Sequence, residues 1–329
     1  MKFYLILLLS ICMATCRKEK AAVQDTAALD NSIHCPNGAD SVFSFPVYQG
    51  GGGGYYPSTL YLSNDTLWKY PCFNPNNYNE ISYVQQIVNG TSTLMKYNLI
   101  TEEKTIIREN LSVAQQPVWC MNNWCYFMGY GENMVRVNMA TGELHQMTDL
   151  NKDRYITSNV LTGEFIFTRF MSSSVMYAIR ADEMGVQLDT VSINPNGDWR
   201  GDLLAGGERY SGIATCAIGS NQIETLHQFT VNLGYIINDV KIHPNNGDVY
   251  ATCWYIDGLY KVNRDTKQLT LVKEGNNSCW YDTFSISQNG DDIIFEKVIC
   301  NIGLGDVVYS KSEIWMMDVN GCNEHKVSL

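Results

Sequence analysis

The chain has 329 residues, 45% of them hydrophobic and 12% aromatic, with twenty tyrosines. That length suits one large all-β domain or two smaller domains, and aromatic residues together with many Asn-Gly-type turns favour strands over helices. A formal net charge of -11 is poorly suited to neutralising phosphates or acidic lipid headgroups, which argues against nucleic acid as a partner.

In chain order, Met1-Lys2 gives a basic start, Phe3 to Ile11 is an almost unbroken apolar run, and small or medium residues lead up to Cys16. This pattern predicts a signal peptide over residues 1–15. Its apolar core is about half the length a membrane-spanning helix needs, so cleavage is expected rather than permanent insertion. Met13-Ala14-Thr15-Cys16 is similar to the lipobox of bacterial lipoproteins, which implies a diacylated Cys16 at the mature N-terminus. An ordinary secretory peptide, with Cys16 incidental, is the other reading. The charged, structure-poor stretch from Arg17 to Asn31 resembles a lipoprotein tether, here placed at residues 16–40, and two or more acyl chains would anchor it stably to a membrane. Residues 41–70 contain the Gly50 to Gly54 linker and, from Ser58 to Tyr70, a predicted short hairpin about Asn64-Asp65. No later apolar stretch is long enough to cross a membrane.

From residue 71 onward a repeat is visible. Polar turns between β-rich runs recur at Asn76-Asn77, Asn122-Asn123, Thr162-Gly163, Gly206-Gly207, Asn246-Gly247 and Asn289-Gly290. The second residues of these pairs stand 46, 40, 44, 40 and 43 positions apart, a period that marks repeated supersecondary units. Asn-Gly tolerates the positive φ of a tight hairpin turn, so each unit reads as a four-stranded antiparallel meander. One such sheet cannot bury both faces alone, whereas six packed radially can, leaving only short edges. The fold class is therefore all-β, a six-bladed β-propeller over residues 71–329.

The last unit is the clearest, with Phe284 to Ser287, Gln288-Asn289-Gly290-Asp291, Ile293-Ile294-Phe295, and Glu313 to Asp318 ahead of Asn320-Gly321. It closely resembles the repeat of TolB-like propellers, and Val118 to Thr148 does so moderately. The resemblance implies an envelope protein whose propeller binds a membrane or secretion-complex partner. Asp-Ser/Thr followed by an apolar residue at Asp25, Asp40, Asp65 and Asp189 resembles the O-glycosylation sequon of Bacteroidetes envelope proteins. Within a ring, residues 41–70 are expected to add an outer strand or plug one end of the channel.

An exported protein can oxidise its cysteines. Counting across a two-residue turn places Cys120 opposite Cys125, and Cys279 opposite Cys300 if no bulge intervenes; strained cross-strand disulfides and buried free thiols are both open there. The histidines share no motif with a nucleophile, and His145 and His325 fall in predicted outer strands. Neither a Gly-x-Ser-x-Gly elbow, a Cys-x-x-Cys pair nor an alternating Asp loop occurs, so no catalytic residue, metal site or cofactor is expected. Trp119, Trp124, Trp254, Trp280 and Trp315 are read as inter-blade packing ahead of a sugar platform. The expected function is a non-catalytic, lipid-anchored interaction platform with an envelope or secretion-complex protein as partner. The alternative is a propeller that binds or processes a glycan or peptide in its channel.

Overall fold

The computed structural model describes residues 59–60 and 66–329, apart from residues 89, 130–132, 149–152, 171–175, 192–196, 209–211, 221, 229–236, 254–257, 276–278 and 303–307. The predicted signal peptide, the Cys16 lipidation site, the tether and the polyglycine run lie outside the described residues. Among the described residues strands alternate with turns, and there is no helix long and apolar enough to cross a membrane.

The strands form six antiparallel sheets, each a meander in chain order. Blade 1 is β2 (Thr66–Asn74), β3 (Asn77–Ile87), β4 (Ser92–Asn98) and β5 (Lys104–Leu111). Blade 2 is β6 (Val118–Trp119), β7 (Trp124–Met128), β8 (Met134–Asn138) and β9 (Leu144–Gln146). Blade 3 is β10 (Asp153–Ser158), β11 (Phe165–Phe170), β12 (Met176–Ala181) and β13 (Gln187–Val191). Blade 4 is β14 (Gly197–Arg200), β15 (Leu203–Glu208), β16 (Gly212–Ala217) and β17 (Ile223–Gln228). Blade 5 is β18 (Ile237–Ile242), β19 (Val249–Cys253), β20 (Gly258–Val262) and β21 (Leu269–Glu274). Blade 6 has β22 (Cys279–Ile286), β23 (Asp292–Ile302) and β24 (Val308–Asp318), and its outer edge is shared by two short pieces. These are β25 (His325–Lys326), antiparallel to Trp315 and Met316, and β1 (Thr59–Leu60), parallel to Val308 and Tyr309. Strand β1 thus joins the N-terminal side of the chain to the last blade, and β22 packs on β2 to close the ring.

Two details differ from the sequence expectation. The expected hairpin arms belong to different sheets, Thr59–Leu60 to blade 6 and Thr66–Asn74 to blade 1 as its innermost strand, while Asn64 and Asp65 lie outside the described residues. In blade 4 the turn lies at Gly201-Asp202, and Gly206-Gly207 sits inside β15, paired with Gly197, Ala214 and Ile213. The reason is steric. A Cβ at position 197 would lie 1.8 Å from the Ala205 carbonyl oxygen, so the glycines of this blade serve close backbone approach rather than a turn.

The turns between first and second strands, and between third and fourth, lie at one end of the ring, the turn face. At three third-to-fourth turns the same device recurs. The side-chain oxygens of Asn98, Asn138 and Asn263 each accept from the backbone N–H groups two and three residues on, at 2.9–3.1 Å. The fifth residue of each turn is left-handed: Glu102 (φ 58°), Gly142 (φ 71°) and Lys267 (φ 60°). Apolar cores fill the spaces between blades. Trp119, Cys125 and Phe127 of blade 2 pack on Val84 and Leu94 of blade 1, and Val240, Ile242 and Val249 of blade 5 pack on Ala205 and Ile213 of blade 4. Because side chains alternate along a strand, each blade feeds two such cores.

Candidate functional site: the channel and its buried carboxylates

Strands β2, β6, β10, β14, β18 and β22 line the central channel. Four of them carry a register shift against their second strand, at Lys69/Cys72, Arg154/Ile156, Ile237/Asp239 and Tyr281/Phe284. A bulge of this kind re-aims side chains and leaves backbone groups without ladder partners. Here the bulge residues build a polar cluster where blades 5, 6 and 1 meet. Asn238 donates to both the backbone and the side-chain oxygen of Asp282, and Thr252 Oγ1 donates to the Asp282 carbonyl at 2.9 Å. Asp239 accepts from Lys241 Nζ at 2.6 Å and from the Phe284 N–H at 3.0 Å. Glu296, only 1% exposed on β23, accepts from the Tyr70 N–H at 3.2 Å and Thr283 Oγ1 at 3.3 Å, while its other oxygen lies 2.8 Å from Ser312 Oγ.

The electrostatics follow from burial. Desolvation, reinforced by the Asp282 charge and opposed by Lys69, pushes the Glu296 carboxyl up to about 7. Burial also raises Asp282 and Asp239, the latter against the pull of Lys241. The oxygen–oxygen distances fit a protonated Glu296. Ser312 Oγ is 2.7 Å from the Trp68 carbonyl and 2.8 Å from Glu296, and one hydroxyl proton serves only one acceptor. A Glu296 O–H donating to Ser312 Oγ, with Ser312 donating to Trp68 O, satisfies both contacts.

These side chains are already occupied in joining blades. Asp198 of blade 4 accepts from the Ile242 N–H of blade 5 at 2.8 Å, Asp239 of blade 5 from Phe284 of blade 6, and Ser285 of blade 6 from the Phe73 N–H of blade 1 at 3.3 Å. Gln115 accepts from the Ile156 N–H of blade 3 at 3.1 Å. The channel itself is filled from the walls. Gln116 donates to the carbonyls of Pro71 (2.8 Å) and Phe284 (3.0 Å), and Arg200 reaches across from blade 4 to Gln288 of blade 6 at 2.6 Å. What remains between Cys72, Asp198, Lys241 and Ser285 is a cavity of about 30 Å³, the space of a single water and far below a small-molecule site.

Other residues singled out in the sequence fall as follows. Cys120 and Cys125 are buried free thiols, not a disulfide. The loop has three residues, with Asn123 left-handed (φ 66°), so Cys120 meets Trp124 and Cys125 pairs with Trp119. That one-residue slip puts the two thiols in different inter-blade cores. The bulge at Asp282-Thr283 likewise sets Cys279 opposite Ile299, and Cys300 opposite Ser310, rather than opposite each other. Burial raises the thiols of Cys72, Cys120, Cys125 and Cys216, the environment of inert core cysteines. Trp119 is buried; Trp124 carries the Arg136 guanidinium at 4.2 Å and Trp315 the Lys297 ammonium at 4.1 Å. The side chains of Trp254 and Trp280 lie outside the described residues. His145 and His325 stand on the outer strands β9 and β25. His243 is buried, accepting from the Asn245 N–H and donating to Gly290 O at 3.0 Å, and burial lowers its pKa. Among the described residues no group of three His, Cys, Asp or Glu is placed to hold a metal ion.

Neither a family model nor a curated protein matches the chain. Solved structures do. A TolB structure from Agrobacterium tumefaciens superposes with a TM-score of 0.55 over 72% of this chain and 88% of that one, at 10% identity. The fold is a TolB-like six-bladed β-propeller. An oligogalacturonate lyase from Vibrio parahaemolyticus (TM-score 0.50, 10% identity, 80% and 79% covered) shares it. So does an acylaminoacyl peptidase from Pyrococcus horikoshii (0.52, 12%, 81% and 53%), of which the chain spans about half. At these identities the likeness carries the fold alone, and the TolB-like propeller is shared by proteins of different activities.

Sequence reasoning missed Asp239, Asp282 and Glu296. A signal was present for the first two. Asn238-Asp239 and Asp282-Thr283 are polar pairs directly ahead of the apolar-x-apolar runs Val240-Lys241-Ile242 and Phe284-Ser285-Ile286, where an unbroken inner strand would continue its alternation.

Proposed function

We propose that this protein is a non-catalytic interaction platform of the cell envelope, held to a membrane through lipid on Cys16, and that its turn face receives a protein partner. The observation that carries this reading is the set of apolar side chains exposed on the turn face of blades 1 to 3. Ile100 is 70% exposed, Met184 64% and Tyr78 52%, with Met121 and Leu161 beside them. They stand on turns that touch. Asn76 of blade 1 donates to the Met121 carbonyl, the Met121 N–H donates to the Val160 carbonyl, and Asn122 donates to Glu183. Isolated exposed apolar residues need no explanation, but a run of them across three blades marks an interaction surface. Aliphatic and thioether side chains suit a protein partner better than a sugar, which would call for flat aromatic platforms and free polar groups.

The channel reading is opposed by geometry. Its carboxylates each accept a hydrogen bond from a neighbouring blade, and a ligand competing for them would have to break ring contacts. Mild crosslinking of tagged protein in its native envelope, with wild type compared against a Met121→Glu/Leu161→Glu variant, tests the proposal. The expected result is a protein partner captured by wild type and lost in the variant. The same capture by both would overturn the turn-face assignment.

A further inference from the structure

The exposed apolar side chains Ile100, Met121, Leu161 and Met184 stand on turns whose charge is of one sign. In blades 1 to 3 these turns are residues 75–76, 99–103, 120–123, 139–143, 159–164 and 182–186. Together they hold six carboxylates, Glu102, Glu103, Glu143, Glu164, Asp182 and Glu183, and neither lysine nor arginine. The matching turns of blades 4 to 6 hold five carboxylates against two cations, Arg264 and Lys267, and among their described residues no exposed large apolar side chain. Apolar exposure and uncompensated negative charge thus fall on the same three blades.

Three of the six carboxylates are engaged within the fold. Asp182 Oδ1 accepts from the N–H groups of Met184 (2.9 Å) and Val186 (2.8 Å), Glu143 lies 2.7 Å from His145 Nε2, and Glu183 accepts from Asn122 Nδ2 at 2.9 Å. Glu102, Glu103 and Glu164 have neither an ion pair nor a side-chain hydrogen bond among the described residues. Glu102 and Glu103 follow Ile100 by two and three positions, and Glu164 follows Leu161 by three, so uncommitted carboxylates border the apolar contacts. Arg136 supplies no outward countercharge: it is 4% exposed, with its guanidinium over Trp124 and donating to the Glu183 carbonyl.

We infer that the segment received by the turn face is cationic, a stretch of the partner protein in which lysines or arginines alternate with aliphatic side chains. The aliphatic groups cover Met121, Leu161 and their neighbours, and the cations pair with Glu102, Glu103 and Glu164. This chemistry of the partner rests on the turn-face reading proposed above. An apolar centre with charges at a solvated rim is the ordinary anatomy of a protein interface, and complementary rim charges select the partner and speed its approach. An acidic segment would meet like charge with no cation between, which is costly. An anionic membrane surface is opposed on the same ground. A metal ion finds no group of three ligands among the described residues.

The test uses the purified full chain and three labelled synthetic peptides, one alternating Leu-Ser with Lys-Ser, one with Glu in place of Lys and one with Ser in place of Lys, read by fluorescence anisotropy. Wild type should bind the Lys peptide most tightly. Glu102→Gln/Glu103→Gln/Glu164→Gln should bind it roughly tenfold more weakly at 0.1 M salt, the scale of three surface ion pairs. The difference should shrink to about twofold or less at 1 M, where screening cuts the range of charge from about 10 Å to about 3 Å. Glu109→Gln/Asp202→Asn/Asp265→Asn removes the same charge from exposed positions on the outer strand of blade 1 and the turns of blades 4 and 5, and should stay within about twofold of wild type. Equal weakening in the two triple variants, which is the signature of diffuse attraction, overturns the cationic assignment, as does the absence of binding to the Lys peptide. Tighter binding of the Ser or Glu peptide, lost in Met121→Ser/Leu161→Ser, overturns the cationic assignment while leaving the turn-face reading standing. Undiminished binding of the Lys peptide by Met121→Ser/Leu161→Ser overturns the turn-face reading itself.

Discussion

Replacing Glu296 by Gln should stabilise the propeller at mildly alkaline pH and do little at mildly acidic pH. In the folded protein Glu296 titrates near 7 rather than 4.5, so the fold binds its proton more tightly than the unfolded chain does. Stability from this group is complete below the unfolded value near 4.5 and is lost as pH rises through about 7. The rise from 4.5 to about 7 corresponds to an upper bound of about 3 kcal/mol at pH 8. Gln keeps the contacts of the protonated acid: its N–H₂ faces Ser312 Oγ and its oxygen faces the Tyr70 N–H. Melting curves at pH 8 should therefore place Glu296→Gln about 1–3 kcal/mol above wild type, a rise of several degrees for a domain of this size. At pH 5 the two curves should agree to within about 0.5 kcal/mol, the usual scale of a neutral substitution. Because the comparison is between two proteins at one pH, the opposing titration of His243, whose lowered pKa costs stability on acidification, cancels. An equal offset at both pH values, or a variant destabilised at pH 8, would refute the protonated-network account.

Further predictions concern the ring and its anchoring. Glu102 is exposed and left-handed at the position that Gly142 takes in the sister turn, so Glu102→Gly should stabilise by roughly 0.5–1 kcal/mol in a thermal melt. Gly142→Ala should do the reverse by more than about 1 kcal/mol, since its Cβ would lie 2.4 Å from the Ile107 carbonyl oxygen. Asp198→Ala removes the acceptor of the buried Ile242 N–H and should cost about 1–3 kcal/mol in urea unfolding; a neutral result would mean that the inter-blade bond is dispensable. Cys16→Ala should move the protein from the membrane fraction to the soluble fraction, and full retention in the membrane would contradict lipidation there.

The ring was legible in the sequence because a propeller repeats its turns. Asn-Gly at 246–247 and 289–290 and the apolar alternation beside it report local backbone chemistry, and that chemistry fixes the meander. Register was harder to read. Cys120 and Cys125 sum correctly across a two-residue turn, but the left-handed Asn123 adds a residue to the loop and reverses one face. Cys279 and Cys300 miss each other through a bulge three residues beyond Cys279, at Asp282-Thr283, which no regular pattern of side chains announces. Blade 4 misled because glycine serves both turns and close approach, and only the packing of Gly197 on Ala205 decides between them. The polar cluster at blades 5, 6 and 1 was invisible as a cluster, because Tyr70, Asp282 and Glu296 meet only when the ring closes across more than two hundred residues of chain.

The central claim is that the turn face of blades 1 to 3 receives a protein. A photo-crosslinking amino acid placed at Leu161, with one at Ile106 on the exposed outer strand of blade 1 as control, tests it most directly in the native envelope. The account predicts one reproducible crosslinked protein from position 161 and none from position 106. Equal crosslinking from both positions, or none from position 161 while a glycan or peptide co-purifies with the protein, would contradict it.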